Sequence, residues 1–129
     1  MSVTVVDASA VAAVLFDEPE SEPIVASISG LLLAPSLLPY EIASVCSSKL
    51  AMRSANAKAI LARYALLLDL DIELTEPDWE RLPMLARAWS LSAYDAAYLQ
   101  LALVYDAPLV TLDARLAAAY DKASHFRRS

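Results

Sequence analysis

Val3-Thr4-Val5-Val6-Asp7-Ala8-Ser9-Ala10 is the stretch whose reading decides the fold. Its first four residues are valine and threonine, which favour an extended, half-buried backbone, and the small residues after the carboxylate favour helix. The spacing predicts a strand-to-helix junction. In a parallel sheet such junctions lie at the carboxyl ends of the strands, where open α/β folds place their ligand sites. Asp7 is therefore read in two ways, as the N-cap of the following helix or as a functional carboxylate.

Outward from this junction the chain alternates strands and helices. A helix is expected over 9–16, and a second one after the Pro-interrupted acidic run 17–23 as far as about Ser29, with the only glycine, Gly30, as its C′ residue. A short strand over 31–34 ends at Pro35, and helices over 40–51 and 55–68 are expected to pair as a hairpin. In the second of these, Ile60, Leu61, Tyr64, Leu67 and Leu68 form the apolar stripe. Residues 71–74 read as an edge strand, 78–90 as a helix, and Ser92 to Asp95 as the opening of a helix reaching about Tyr105. A strand over 109–111 and a final helix from Asp113 to about Ala123 follow, with a loose tail over 124–129. The expected fold class is α/β, a central parallel sheet of four to five short strands flanked by about seven helices.

Composition narrows the chemistry. The length of 129 residues predicts one domain spanning 1–129, and with 58% hydrophobic and 20% charged residues it carries enough apolar material for a packed core. A single glycine excludes the Gly-rich phosphate loops of nucleotide enzymes. The lone Cys46 excludes an intramolecular disulfide and a cysteine-based zinc site, and is read as a small buried residue in a reducing, cytoplasmic compartment. No apolar run reaches the roughly 18 to 20 residues that span a bilayer, and no signal peptide is read at the N-terminus. His125 is the only histidine and lies in the polar tail, so no Ser-His-Asp set is available. A net charge of −6 opposes a long-range pull on nucleic acid unless clustered carboxylates are neutralised by divalent cations.

Four acids stand out by position. Asp7 and Asp113 follow strands, Glu41 follows the strand-and-Pro segment at 31–35, and Asp95 lies in the first turn of the helix feeding the last strand. Each has a plain structural reading: N-caps for Asp7 and Asp113, half of a capping box with Ser92 for Asp95. Glu41, between apolar neighbours, is costly unless paired, capped or metal-bound. Right-handed crossovers carry the acids that follow strands to one edge of the sheet. Carboxylates gathered there repel one another, which makes sense mainly as a hard-cation site, and oxygen-only ligands select Mg²⁺ or Mn²⁺ over zinc.

The runs Val5-Val6-Asp7-Ala8-Ser9-Ala10, Pro39-Tyr40-Glu41-Ile42-Ala43, Tyr94-Asp95-Ala96-Ala97-Tyr98-Leu99 and Val110-Thr111-Leu112-Asp113 resemble the four acidic motifs of PIN-domain nucleases, and their order and spacing resemble the VapC-type toxins in particular. The resemblance covers essentially the whole chain. It implies an endoribonuclease that cuts single-stranded RNA by metal-activated water, with Asp7, Glu41, Asp95 and Asp113 as catalytic metal ligands for Mg²⁺ or Mn²⁺. It also implies a cognate VapB-like antitoxin and a homodimer. Ser9 and Thr111 match hydroxyl residues of the motifs, while Ser44 stands where the family often has asparagine. Two readings of other classes stay open: an inactive PIN-like binding or regulatory module, and a metal-dependent phosphatase. The phosphatase would more commonly place two aspartates close together after its first strand, which Asp7-Ala8-Ser9 lacks.

Lys49, Arg53, Lys58 and Arg63 are candidates for a phosphate-contacting stripe, but at about 100° per residue Lys49 is rotated roughly 80° and Arg53 roughly 120° from Glu41, so a solvated surface is read equally. Arg87 is a further candidate, and Arg115 is expected near the pocket. Trp79, Trp89, Tyr94, Tyr98 and Tyr105 are read as core or interface aromatics in preference to base-stacking groups.

Overall fold

The computed structural model describes residues 2–128. Its strands are β1 (Val3–Val6), β2 (Leu31–Pro35), β3 (Ile72–Thr75) and β4 (Leu109–Val110), all parallel in the order β3-β2-β1-β4. Among the described residues there are seven α-helices, α1 (Ala8–Leu15), α2 (Ser21–Ser27), α3 (Leu38–Leu50), α4 (Ala57–Ala65), α5 (Leu82–Ala88), α6 (Ala93–Val104) and α7 (Ala114–Arg128), and a short 3-10 helix over Leu66–Asp69 directly after α4. The α/β class with a parallel sheet is as the sequence predicts.

β1 owes its central place to a run in which Thr4, Val5 and Val6 are all buried, as a strand covered on both faces requires. Thr4 meets the cost of burying a hydroxyl by donating to the Ser29 carbonyl at 2.9 Å. The helix across the sheet is α6, whose residues from Ala96 to Ala102 are buried without interruption and which packs on β1, β2, β4, α5 and α7. A helix apolar all round is a core helix, and here it delivers its first turn, with Asp95, to the same region as the end of β1.

Local chemistry sets several boundaries differently from the periodicity. α5 is much shorter than the expected 78–90. Gln100, buried on α6, donates from Nε2 to the Asp78 carbonyl at 3.1 Å and accepts the Asp78 N–H at 2.9 Å, which holds the segment before α5 as a loop. α7 runs to Arg128 instead of ending near Ala123; its buried face is Leu116, Ala119 and Ala123, and its backbone continues past that face with Phe126 exposed. α3 and α4 do pair, but no residue of α4 is buried, and of the expected apolar stripe Leu61 and Leu68 are exposed.

Gly30 is not a helix C′ residue: α2 ends on Ile28 in an extended conformation, and Gly30 turns at φ +70° into β2, where a side chain would strike Ser2. The left-handed C′ positions belong instead to Asp17, Ser90 and Asp106, at φ 53°, 54° and 49°. Each closes a helix with paired bonds, for instance Leu91 N–H to the Ala86 carbonyl and Ser90 N–H to the Arg87 carbonyl. A serine there carries a backbone cost of about 1 kcal/mol that glycine avoids, partly offset by the greater freedom of glycine in the unfolded chain. Ser90→Gly is therefore expected to raise the thermal midpoint by about 3 °C, measured by calorimetry; no gain would mean that Ser90 carries no such strain.

Candidate active site

The sequence from β1 into α1 builds the first part of the site. Asp7 ends the strand with extended φ −96° and ψ 175°, and its carboxylate caps α1 by accepting the Ala10 N–H at 3.0 Å. Both readings of Asp7 therefore meet in one side chain. The same Oδ1 accepts Ser9 Oγ at 2.7 Å, while Oδ2 accepts Thr111 Oγ1 at 2.6 Å from the segment after β4. Three donors aim this 5% exposed carboxylate.

The two hydroxyls reach further than Asp7. Thr111 Oγ1 accepts the Asp113 N–H at 2.9 Å, and Ser9 Oγ accepts the Leu112 N–H at 2.9 Å. Ser9 and Thr111 so lock the first acid to the loop that carries the last. Asp113 then accepts the N–H groups of Arg115 and Leu116 at 2.9 and 3.1 Å, capping α7 as expected.

Glu41 and Asp95 enter on the first turns of α3 and α6. Glu41 Oε1 accepts the Tyr98 hydroxyl at 2.7 Å, and Tyr98 is 1% exposed, one turn beyond Asp95 on α6. This supplies the orienting bond that Ser44, standing where asparagine is common, left unassigned. The Ser92 half of the capping box forms, with Ser92 Oγ accepting the Asp95 N–H at 3.1 Å.

The four acids share one electrostatic environment. Burial pushes the Asp7 carboxyl above its ordinary value and the charge of Asp113 adds to this, against hydrogen bonds from Thr111, Ala10 and Ser9. Burial likewise raises Glu41, opposed by the Tyr98 bond and reinforced by Asp95 and Asp7. Asp95 is raised by burial and by Asp113 and Asp7, against its Ser92 bond and the charge of Arg115. Burial and Glu41 push Tyr98 strongly upward, so it remains a protonated donor. Among the described residues no three acidic, histidine or cysteine side chains form a ready-made metal cage. Beside Glu41 and Ser9 opens a pocket of about 540 Å³, also lined by Tyr40, Ser44 and Tyr94.

The proposed basic stripe does not assemble there. Lys49 pairs with Glu18 at 2.9 Å and sits 5.1 Å from the Phe16 ring centre, and Arg63 donates to the carbonyl oxygens of Leu15 and Val14 at the end of α1. Arg53, Lys58 and Arg87 are exposed. The aromatics divide, and the core reading holds for only some of them. Tyr98 is core, and Trp89 is half-buried against it, but Trp79, Tyr94 and Tyr105 are 64%, 64% and 48% exposed. Two residues escaped sequence reasoning as parts of the site: Tyr98 as the partner of Glu41, signalled by its place one turn after Asp95, and Tyr40, signalled by standing directly before Glu41.

A parallel α/β sheet whose carboxyl edge carries acids at helix starts, near enough for their charges to act on one another, defines the class: an α/β domain with an acidic sheet-edge centre. The chain belongs to the PIN domain family, whose model matches residues 4–122. It is similar in structure to PAE2754 from Pyrobaculum aerophilum, with a TM-score of 0.72 at 22% identity over 98% of this chain and 97% of that one. It is also similar to VapC20 of Mycobacterium tuberculosis, a sarcin-ricin loop cleaving toxin, with a TM-score of 0.66 at 16% identity over 90% and 94% of the two chains. No curated protein matches it.

Proposed function

We propose that this PIN-domain chain is a Mg²⁺- or Mn²⁺-dependent endoribonuclease that hydrolyses single-stranded RNA, as the cytoplasmic toxin of a toxin–antitoxin pair. The observation that supports the reading best is the geometry of the acids at one edge of the sheet: Thr111 bridges Asp7 to the Asp113 backbone, and Tyr98, one turn beyond Asp95, holds Glu41; burial raises Asp7, Glu41 and Asp95, and neighbouring acid charges add to it. Oxygen-only donors that repel one another suit a hard dication. Mg²⁺ commonly keeps several waters and takes only one or two carboxylates, which agrees with the lack of a preformed cage among the described residues. Asp7, Glu41, Asp95 and Asp113 would hold the cation. When bound, it supplies an activated water and neutralises charge at the phosphodiester.

The protein's own part is orientation. Asp7 is aimed by Ser9, Thr111 and the Ala10 N–H, and Glu41 by Tyr98, so two carboxylates arrive with their directions already set. Neither the pocket lining nor the hydrogen-bond network includes a cysteine or histidine nucleophile. The likeness in fold to a sarcin-ricin loop cleaving toxin supports RNA as the substrate. The exposed apolar side chains of Leu61, Leu66 and Leu68 on and after α4 support protein partners, here a VapB-like antitoxin and a second copy of the chain. Among the described residues no helix is long and apolar enough to cross a membrane.

Purified protein given a single-stranded RNA pool is expected to cleave it with Mg²⁺ or Mn²⁺, to lose at least ~100-fold in rate with excess chelator, and to recover when metal is returned. Cleavage indifferent to chelation would overturn the metal dependence. Turnover of a phosphomonoester without RNA cleavage would favour the phosphatase, and tight antitoxin binding without any cleavage would favour an inactive module.

A further inference from the structure

Resting on the ribonuclease reading, we infer that Tyr40 and Tyr94 are the substrate-positioning residues of this site, stacking on unpaired bases that flank the phosphodiester presented to the acids. The two tyrosines occupy equivalent places: each directly precedes an acid, Glu41 or Asp95, in the first turn of its helix, α3 or α6. Both line the pocket that contains Glu41 and Ser9. Tyr40 is 78% exposed and Tyr94 64% exposed, whereas Tyr98 is buried and bonded to Glu41. Apolar side chains scattered singly over a surface need no explanation, but two large rings set beside the same acids in the same relation to them form a wall.

The charge distribution says what that wall is for. Net charge is −6, the tyrosine-lined pocket itself has no lysine or arginine in its wall, and the one cation whose charge is felt at the acids is Arg115, through Asp95. Lys49 and Arg63, the nearest candidates by sequence, are held by Glu18 and by the end of α1. A cation at the acids answers the charge of the one phosphate it meets, so grip on the nucleotides to either side gains most from a source that neither needs positive charge nor is repelled by the acids. Stacking between an aromatic ring and a nucleobase meets both conditions and tolerates any base, since each has a π-face. It also requires a base free of its partner strand, so the same two rings select single strands over duplex, where the bases are already stacked on one another.

Tyr40→Ala and Tyr94→Ala are tested against a short fluorescein-labelled single-stranded RNA by anisotropy, with cleavage followed in parallel. Each is expected to weaken binding by about fivefold to about a hundredfold and to raise KM while leaving kcat within about twofold; Phe or Trp at either position restores native binding. An oligomer of the same length with abasic sugars is expected to bind the native protein and the alanine variants equally weakly, a result that a merely structural role for the rings would not give. Alanine variants that bind and cleave as the native protein does overturn the stacking role and leave the ribonuclease reading intact. Alanine-sensitive RNA binding by a native protein that does not cleave overturns the nuclease reading and leaves the stacking role standing. Native protein that neither binds nor cleaves the RNA overturns both.

Discussion

Asp7→Asn is expected to lower RNA cleavage by at least ~1000-fold while the protein folds normally and, without metal, melts no lower than the native chain at neutral pH. The catalytic half follows from removing a charged ligand, which costs more than the 10- to 100-fold typical of groups that only orient one. The stability half follows from the local bonds. Asparagine Oδ1 still accepts the Ala10 N–H and Ser9 Oγ, and its amide faces Thr111 Oγ1. The threonine hydroxyl then turns its proton toward Ser9 Oγ, 3.3 Å away. Burial raises the Asp7 carboxyl, so in the window between its unfolded value near 3.8 and its higher folded value the native state holds more protons than the unfolded one. Metal-free stability therefore falls as pH rises through that window, and at pH 7 the ionised carboxylate is a net cost that asparagine lacks. The thermal advantage of the variant is expected to vanish below the unfolded value, where the acid is protonated in both states. Added Mg²⁺ is expected to raise the midpoint of the native protein and not of the variant. Cleavage at the native rate by Asp7→Asn would remove Asp7 from the site.

Where the fold was legible in the sequence, two local rules agreed. The β1 run is β-branched and ends on a carboxylate before small residues, so strand, boundary and cap are written within eight positions, and the segments at 31–35 and 72–75 follow the same logic with Pro or acids as punctuation. The helix-borne acids were legible because a helix N-terminus is itself a sequence signal. What escaped depends on contacts distant in sequence. The late start of α5 is imposed by Gln100 on Asp78, 22 residues away. The helix C′ positions are a different case: Asp17, Ser90 and Asp106 are exposed residues held at positive φ by local helix-closing bonds, where the local rule looks for glycine. The exposure of α4 was invisible because an amphipathic stripe states what a helix can bury, not whether this chain alone covers it.

The same division runs through the site. That four acids meet at one edge follows from topology, which the strand–helix alternation encodes. That Glu41 is held by Tyr98, and that Tyr40 and Tyr94 stand exposed beside it, does not, since all three tyrosines lie in helical runs rich in apolar residues. The basic residues show the converse. A row of cations on two neighbouring helices resembles a phosphate track, yet Lys49 and Arg63 are consumed in fastening α3 and α4 to the region around the end of α1.

Thr111→Val is the second variant expected to have a large effect, and it separates orientation from coordination. Valine matches the shape of threonine but removes the hydroxyl that donates to Asp7 Oδ2 at 2.6 Å and accepts the Asp113 N–H at 2.9 Å. Asp7 then keeps only two of its three donors, and the loop carrying Asp113 loses one of its ties, keeping the Leu112 N–H to Ser9 Oγ bond and the Asp7 N–H to Val110 carbonyl bond just before it. A donor and an acceptor left unpaired at a half-buried position cost about 1 to 2 kcal/mol, so the thermal midpoint is expected to fall by about 5 °C. Cleavage is expected to fall by about 10- to 100-fold, the range for groups that orient a metal ligand, with the Mg²⁺ concentration for half-maximal activity rising by a similar factor. Because no ligand is lost, excess Mg²⁺ is expected to recover much of the rate, which it cannot do for Asp7→Asn. Thr111→Ser, which keeps the hydroxyl, is expected to stay close to native in both metal requirement and rate. If Thr111→Val cleaves at the native rate with a native Mg²⁺ requirement while showing the expected loss in stability, the hydroxyl bridge serves only to hold β4 against β1, and the acids find their positions without it.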